Sequence, residues 1–206
     1  PSTGTQAHAG FSQNSGWAVG VSAAAVLATS TVNAPLSPGL GLGVSLARRT
    51  GPHMAWHLAC ERSAHTLEEA GGAFRQGTET PISNTTVEGT ARQVWSRLGL
   101  RWTPQLGGNP QARVTAVLGW GIGAIHSRNT LDLPAPNGDT RIKTTNVEPS
   151  VQTEIGLEFI LQEWFVVHIG SQAGLILGFD PSEIGGGGQV PVYGRIVPTM
   201  EILARF

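Results

Sequence analysis

VTAVLGWGIGAIH, residues 114–126, decides the fold of this chain. Every second residue from Val114, through Ala116, Leu118, Trp120 and Ile122 to Ala124, is apolar, and Thr115, Val117, Gly119, Gly121 and Gly123 fall between them. A strand turns successive side chains to opposite faces, so one face of this segment is apolar and the other small. A helix is excluded, because each interior glycine would cost it about 1 kcal/mol relative to alanine.

The same period recurs on both sides. Leu40, Leu42, Val44 and Leu46 alternate with Gly41, Gly43 and Ser45, and Val151, Thr153, Ile155, Leu157, Phe159 and Leu161 alternate with Gln152, Glu154, Gly156 and Glu158. Eight such segments can be placed, at 16–28, 38–49, 53–66, 86–102, 112–127, 150–161, 164–179 and 191–206. Most are more than twice the usual strand length of about 5–6 residues. They also exceed the roughly 9–11 residues that a tilted strand needs to cross a bilayer.

The connections sort by parity. Thr50–Pro52, Thr103–Gln111 and Gln162–Glu163 are the even ones, while 29–37, 67–85, 128–149 and 180–190 are longer on the whole. Loop chemistry gathers in the second set, with Pro134-Ala135-Pro136-Asn137-Gly138-Asp139 and the flexible run Gly185–Gly188. Short turns at one end and long loops at the other describe an all-β, eight-stranded antiparallel up-and-down transmembrane β-barrel, with both termini on the short-turn side.

Composition agrees. The 206 residues include 28 glycines, and only 13% are charged, about half the ordinary fraction. The net charge is −1 and the only lysine is Lys143, so no basic field exists to attract nucleic acid. One cysteine, Cys60, excludes an internal disulfide and a cysteine-built zinc site. No apolar run approaches the roughly 18–20 residues of a spanning helix.

A soluble barrel also alternates, but with bulky residues inside and polar ones outside. Here the second face holds glycine, alanine and serine with a few large polar groups, which suits a narrow lumen better than a wet surface. The inward candidates are His57 and Glu61 on the third segment, Gln93, Arg97 and Arg101 on the fourth, and Glu154 and Glu158 on the sixth. His168 and Gln172 on the seventh and Arg195 and Glu201 on the eighth complete them. Their mixed signs predict a paired network that plugs the lumen, with Arg97 and Arg101 reaching inward carboxylates that include Glu61. Leu40, Leu42, Val44, Leu46, Leu118, Trp120, Ile155 and Leu157 are predicted to face lipid.

Large aromatics gather toward the short-turn end. Trp17 and Trp56 start strands, Trp102 ends one, Phe159 nears an end, Trp164 and Phe165 open the seventh, and Phe206 closes the eighth. That is where an interfacial girdle forms.

The final segment alternates Met200, Ile202, Ala204 and Phe206 with Glu201, Leu203 and Arg205. It resembles the C-terminal signal of bacterial outer-membrane β-barrel proteins, a last amphipathic strand ending in an aromatic residue. At the level of architecture, 16–206 is similar to the small eight-stranded group of OmpA-type transmembrane domains, OmpX-like and OmpW-like proteins. The resemblance implies an outer-membrane location, lipid contact, and handling by the barrel-assembly machinery through Met200, Ile202, Ala204 and Phe206, with other envelope proteins as further partners. Pro1–Ser15 is polar and small, without the basic and apolar regions of a signal peptide. It reads as a flexible lead-in left after a signal peptide is removed, ahead of a single barrel domain.

Catalytic and ligand chemistry finds little purchase. His126-Ser127 departs from the His-x-Ser pair of the lipid A deacylase family, because adjacent residues point to opposite faces and cannot act as base and nucleophile. His57 and His168 lack neighbours for a metal site, and Cys60 shares the lipid face with Trp56 and Leu58. No metal, cofactor or nucleic acid is expected. The reading is a non-enzymatic barrel with a side-chain-filled lumen, serving as a structural element, anchor or subunit of an envelope complex. The alternative is a narrow channel for small or apolar solutes; a lipid A-modifying enzyme is disfavoured by the geometry at His126.

Overall fold

The structure, a computed structural model, describes residues 16–28, 37–69, 87–104, 113–133, 140–177 and 192–206. Eight strands follow in chain order: β1 (Trp17–Ala28), β2 (Gly39–Arg49), β3 (Met54–Glu69), β4 (Val87–Trp102), β5 (Val114–Leu133), β6 (Thr140–Gln162), β7 (Phe165–Leu177) and β8 (Val192–Arg205). Each pairs antiparallel with its neighbours in sequence, and β1 pairs with β8, so the sheet closes. Closure satisfies every edge, the condition for a sheet to sit in hydrocarbon. The eight-stranded up-and-down barrel expected from alternation is therefore the observed fold. The lead-in Pro1–Ser15 and the Gly185–Gly188 run lie outside the described residues.

The outer surface is apolar where an isolated soluble protein would be wet. Leu40, Leu42, Val44, Trp120, Ile122 and Ile155 all stand exposed on it. Leu58, Leu98, Ile122 and Val151 lie side by side across β3 to β6, a continuous apolar row. Ile122, near the middle of that row, is 65% exposed. Ile122→Arg should cost about 2–4 kcal/mol in a bilayer, the range for a cation at mid-depth on a lipid-facing strand. Urea titration of the reconstituted barrel measures it, and an unchanged midpoint would remove this row from the membrane.

Glycine lines the inside instead. Gly156 and Gly170 lie directly opposite each other on β6 and β7, and an added Cβ on Gly170 would stand 2.8 Å from His168 Nε2. The absent side chains are what let the His168 ring turn into the lumen.

Two boundaries depart from the sequence reading. Segment 112–127 extends to Leu133 and segment 150–161 begins at Thr140, so most of the expected loop 128–149 is hairpin and only 134–139 separates the strands. Apolar alternation stops at Ala124, but the Thr-rich, β-branched stretch beyond it still suits a strand that has left the membrane. The length contrast between the two sets of connections fails here, since 134–139 is shorter than the stretch between Trp102 and Val114. The second departure is Trp164, which lies with Glu163 in the β6–β7 turn and does not open β7.

The projecting hairpin is clipped by Arg141, which donates from Nε to Asp132 Oδ1 at 2.7 Å and from Nη2 to Oδ2 at 3.3 Å. These hydrogen bonds hold the Asp132 carboxyl below its ordinary range. A depressed folded value gives a contribution that is complete above the unfolded carboxyl range near pH 4 and is lost as pH falls through the folded one. Amide protection relative to intrinsic exchange, read beside this pair at Leu131 and Ile142, should fall over that acid window. Asp132→Asn should abolish the pH dependence; if it persists, another group controls it.

Candidate functional site

Parity sends the large polar groups inward and the barrel wall packs them together. His57, Glu61, Gln93, Arg97, Arg101 and Glu158 are buried on the inner face, as are His168, Gln172, Arg195 and Glu201, and the Glu154 side chain is 9% exposed. The hub of one cluster is Arg101 on β4. Its Nε and Nη2 donate to the two oxygens of Glu154 on β6, each at 2.8 Å, and Nη2 also lies 2.8 Å from Glu201 Oε2 on β8. A planar guanidinium matches a carboxylate in this two-pronged way, which makes the contact directional as well as attractive.

Glu201 is held from its other side. Ser45 Oγ on β2 donates to Glu201 Oε1, and His57 Nε2 lies 3.4 Å from the same oxygen. His168 Nδ1 approaches Glu154 and Glu201 at 3.7 and 3.6 Å.

A second cluster sits beside this one. Arg195 Nη2 donates to Glu61 Oε1 at 2.7 Å, and Arg97 Nη1 lies 3.6 Å from Glu61 Oε2. Arg97 also donates to Gln172 Oε1, and Gln172 Nε2 donates to Glu154 Oε1 at 3.3 Å, which joins the two clusters. Glu61 thus meets Arg97 and Arg195, while Arg101 bypasses it for carboxylates across the lumen. Arg205 and Glu158 pair separately, at 3.1 Å. Glu61, Glu154, Glu158 and Glu201 therefore face Arg97, Arg101, Arg195 and Arg205, so this set of ion pairs is balanced in sign.

Apolar packing covers the network from both sides. Trp95, fully buried, packs with Ala24, Val26, Ile125, Ile176 and Val197, while Ala18, Val166 and Leu203 form a second cluster. Trp95 Nε1 donates to Ser150 Oγ at 3.1 Å, and Arg97 and Arg195 stack on its ring at 4.9 and 4.4 Å from the centroid. Sequence reading assigned Trp95 no role, although it shares parity with Gln93 and Arg97. It also passed over Ser45 and Ser150, which are short polar residues on the inward face. The void between Arg97, Arg101, Gln152, Glu154 and Gln172 measures about 10 Å3, room for at most one water.

His126 is exposed on the outer face and Ser127 buried on the inner one, as adjacent strand residues must be. A different pair does meet: Ser63 Oγ lies 3.0 Å from His65 Nε2, and His65 Nδ1 lies 2.9 Å from the Ser37 carbonyl. No group of three or more metal-ligating side chains occurs among the described residues. Cys60 is exposed on the outer face.

The aromatics expected in the girdle stand outside, toward the short turns. Trp56, Trp102, Trp164 and Phe206 are exposed, Trp17 lies under the Arg48 guanidinium at 5.2 Å, and Phe165 packs against Trp164 at 5.6 Å between centroids. Phe159 faces outward opposite Val114 at the start of β5. Met200, Ile202 and Ala204 face outward on β8, and the Phe206 N–H donates to the Trp17 carbonyl at 3.1 Å.

Solved structures share this architecture. Neisserial surface protein A aligns with a TM-score of 0.57 at 14% identity, covering 93% of this chain and 98% of that one. The outer membrane protein OprG from Pseudomonas aeruginosa aligns at 0.56 and 13%, covering 95% and 96%. Ail, the attachment invasion locus protein of Yersinia pestis, aligns at 0.50 and 10%, covering 93% and 99%. No protein-family model matches the chain, and no curated protein sequence does.

Proposed function

We propose, from the premise that this chain has the fold of the small eight-stranded outer-membrane β-barrels, that it is an integral outer-membrane protein with a non-enzymatic role as an anchor, structural element or subunit of an envelope complex. One observation carries this reading: the bidentate Arg101–Glu154 pair, extended to Glu201, crosses the lumen between β4, β6 and β8. A conducting path would have to separate charges that are nearly solvent-free, and buried pairs resist that strongly. Planar-bilayer recording tests it. A silent protein is expected, whereas reproducible single-channel steps would favour the alternative of a narrow solute channel.

The Ser63–His65 contact pairs a hydroxyl with an imidazole, but among the described residues no side-chain donor stands free beside it for an oxyanion. An acyl-transfer site needs donors aimed at a developing oxyanion. Backbone N–H groups around Ser63 belong to the ladders with β2 and β4, and the Gln93 amide donates to Ser127. Incubation with a fluorophosphonate should leave Ser63 unlabelled; labelling that disappears in Ser63→Ala would make the protein a hydrolase.

Assembly through the last strand belongs to the same proposal. Phe206 extends beyond β8 at the girdle and is 62% exposed, so its loss costs the finished barrel little contact. Recognition of the strand by the barrel-assembly machinery precedes that finished state. Deleting Phe206 should lower the amount of protein in the outer membrane of cells while refolding into detergent survives. Equal membrane levels would show that the terminal aromatic plays no part in recognition.

A further inference from the structure

Among the described residues, the outer surface carries at one place a block of cations without ion-pair partners. Across β3 to β6 the outward residues fall into rows: Arg62, Val94, His126 and Val147 in one, Ala64, Arg92, Arg128 and Thr145 in the next. Arg62, Arg92, His126 and Arg128 are all exposed, and none has a hydrogen-bond or ion-pair partner among the described residues. Arg92 stands directly opposite Arg128, and like charges at opposed positions destabilise a sheet. Arg62 and His126 are diagonal neighbours of Arg92, within side-chain reach. Lys143, opposite Thr130, extends the block by one row. Among positions of outward parity, the carboxylates next in register, Glu68, Glu88 and Asp132, lie two rows beyond Arg92, and Asp132 is engaged by Arg141.

The block borders the apolar band. Cys60, Ser96, Ala124 and Pro149 form the row beneath Arg62 and His126, and Leu58, Leu98, Ile122 and Val151 the row beneath that. An anion held by the arginines would therefore sit at the rim of the hydrocarbon, above a shallow strip of short side chains that leaves room for an acyl chain. Arginine is suited to this task, since its fork of donors matches phosphate oxygens.

From this placement we infer that the outer face of β3–β6 binds the phosphate groups of a phosphorylated membrane lipid, with Arg92 and Arg128 as its centre. A free phosphate offers the same charge, but only a lipid also covers the apolar row below. The inference rests on the barrel being membrane-embedded, and the experiment separates the two.

The protein is reconstituted into phosphatidylcholine nanodiscs carrying a minor fraction of bisphosphorylated lipid A, then extracted into mild detergent, and the retained lipid is weighed by native mass spectrometry. The parent should retain lipid A, and the Arg92→Gln/Arg128→Gln double variant should retain on the order of tenfold less. Lipid A stripped of its phosphates should not be retained, and inorganic phosphate should not displace the intact lipid. Arg48→Gln, at the opposite end of the barrel, should behave as the parent. Heat-modifiable migration verifies folding, and if the double variant fails it, Arg128→Gln alone is read in its place. Equal retention by the variant, retention of the dephosphorylated lipid, or displacement by inorganic phosphate would each overturn the lipid site while leaving the membrane reading intact. Failure of the parent to enter nanodiscs would overturn both.

Discussion

Arg101→Met should destabilise the barrel by about 3–5 kcal/mol, the range for breaking a buried ion pair from one side. The size follows from what is left behind. Glu154 and Glu201 both spend their charge on this guanidinium, and their side chains are 9% and 4% exposed. Their other contacts do not replace it: Gln172 and Ser45 each give one hydrogen bond, His57 stands at 3.4 Å from Glu201, and His168 at 3.7 and 3.6 Å from the two carboxylates. Methionine keeps most of the volume, so the loss is electrostatic rather than a cavity. Neutralising the carboxylates as well, in Arg101→Met/Glu154→Gln/Glu201→Gln, should return much of the stability, because a fully neutral set leaves no stranded charge. Urea midpoints of the three proteins in the same detergent decide the matter. A triple variant no more stable than Arg101→Met would mean that the groups do not act as a network.

The contrast between Arg97 and Arg101 shows what a linear sequence can carry. Both lie on β4 with the same parity, so the period of two turns both inward from residue types alone. Their partners are another matter. Arg97 lies 3.6 Å from Glu61 on the adjacent strand, a contact that neighbouring strands make readable. Arg101 crosses to β6 and β8, and which inward groups meet across a lumen depends on the stagger of all eight strands. No local pattern encodes that sum. The β5–β6 hairpin failed for a different reason. Strand was read from apolar alternation, which ends where the membrane ends, whereas hydrogen bonding continues through Thr130, Lys143 and Thr144. The exterior cations were legible by parity too, but only the register that sets Arg92 against Arg128 turns scattered arginines into a block.

Trp95→Ala should cost about as much as the loss of Arg101, roughly 3–5 kcal/mol, but for an apolar reason. The indole is fully buried among Val26, Ile125, Ile176 and Val197, contributed by β1, β5, β7 and β8, so no single neighbour can move to fill its place. A closed barrel adds to this rigidity, since its wall cannot collapse inward without breaking ladder hydrogen bonds. Two further losses accompany the cavity. Ser150 loses its donor, and the guanidiniums of Arg97 and Arg195 lose the ring face that they stack on at 4.9 and 4.4 Å. Trp95→Phe separates these effects: it retains an aromatic face and most of the fill, and should recover more than half of the alanine penalty. Ser150→Ala should be mild by comparison, near the 0.5–1.5 kcal/mol or so of an ordinary hydrogen bond. The alanine variant should nonetheless stay silent in planar bilayers, because the Arg101–Glu154–Glu201 link lies apart from the indole and is untouched by its removal. Steady conductance in Trp95→Ala would move the seal of the lumen from the ion pairs to this one side chain.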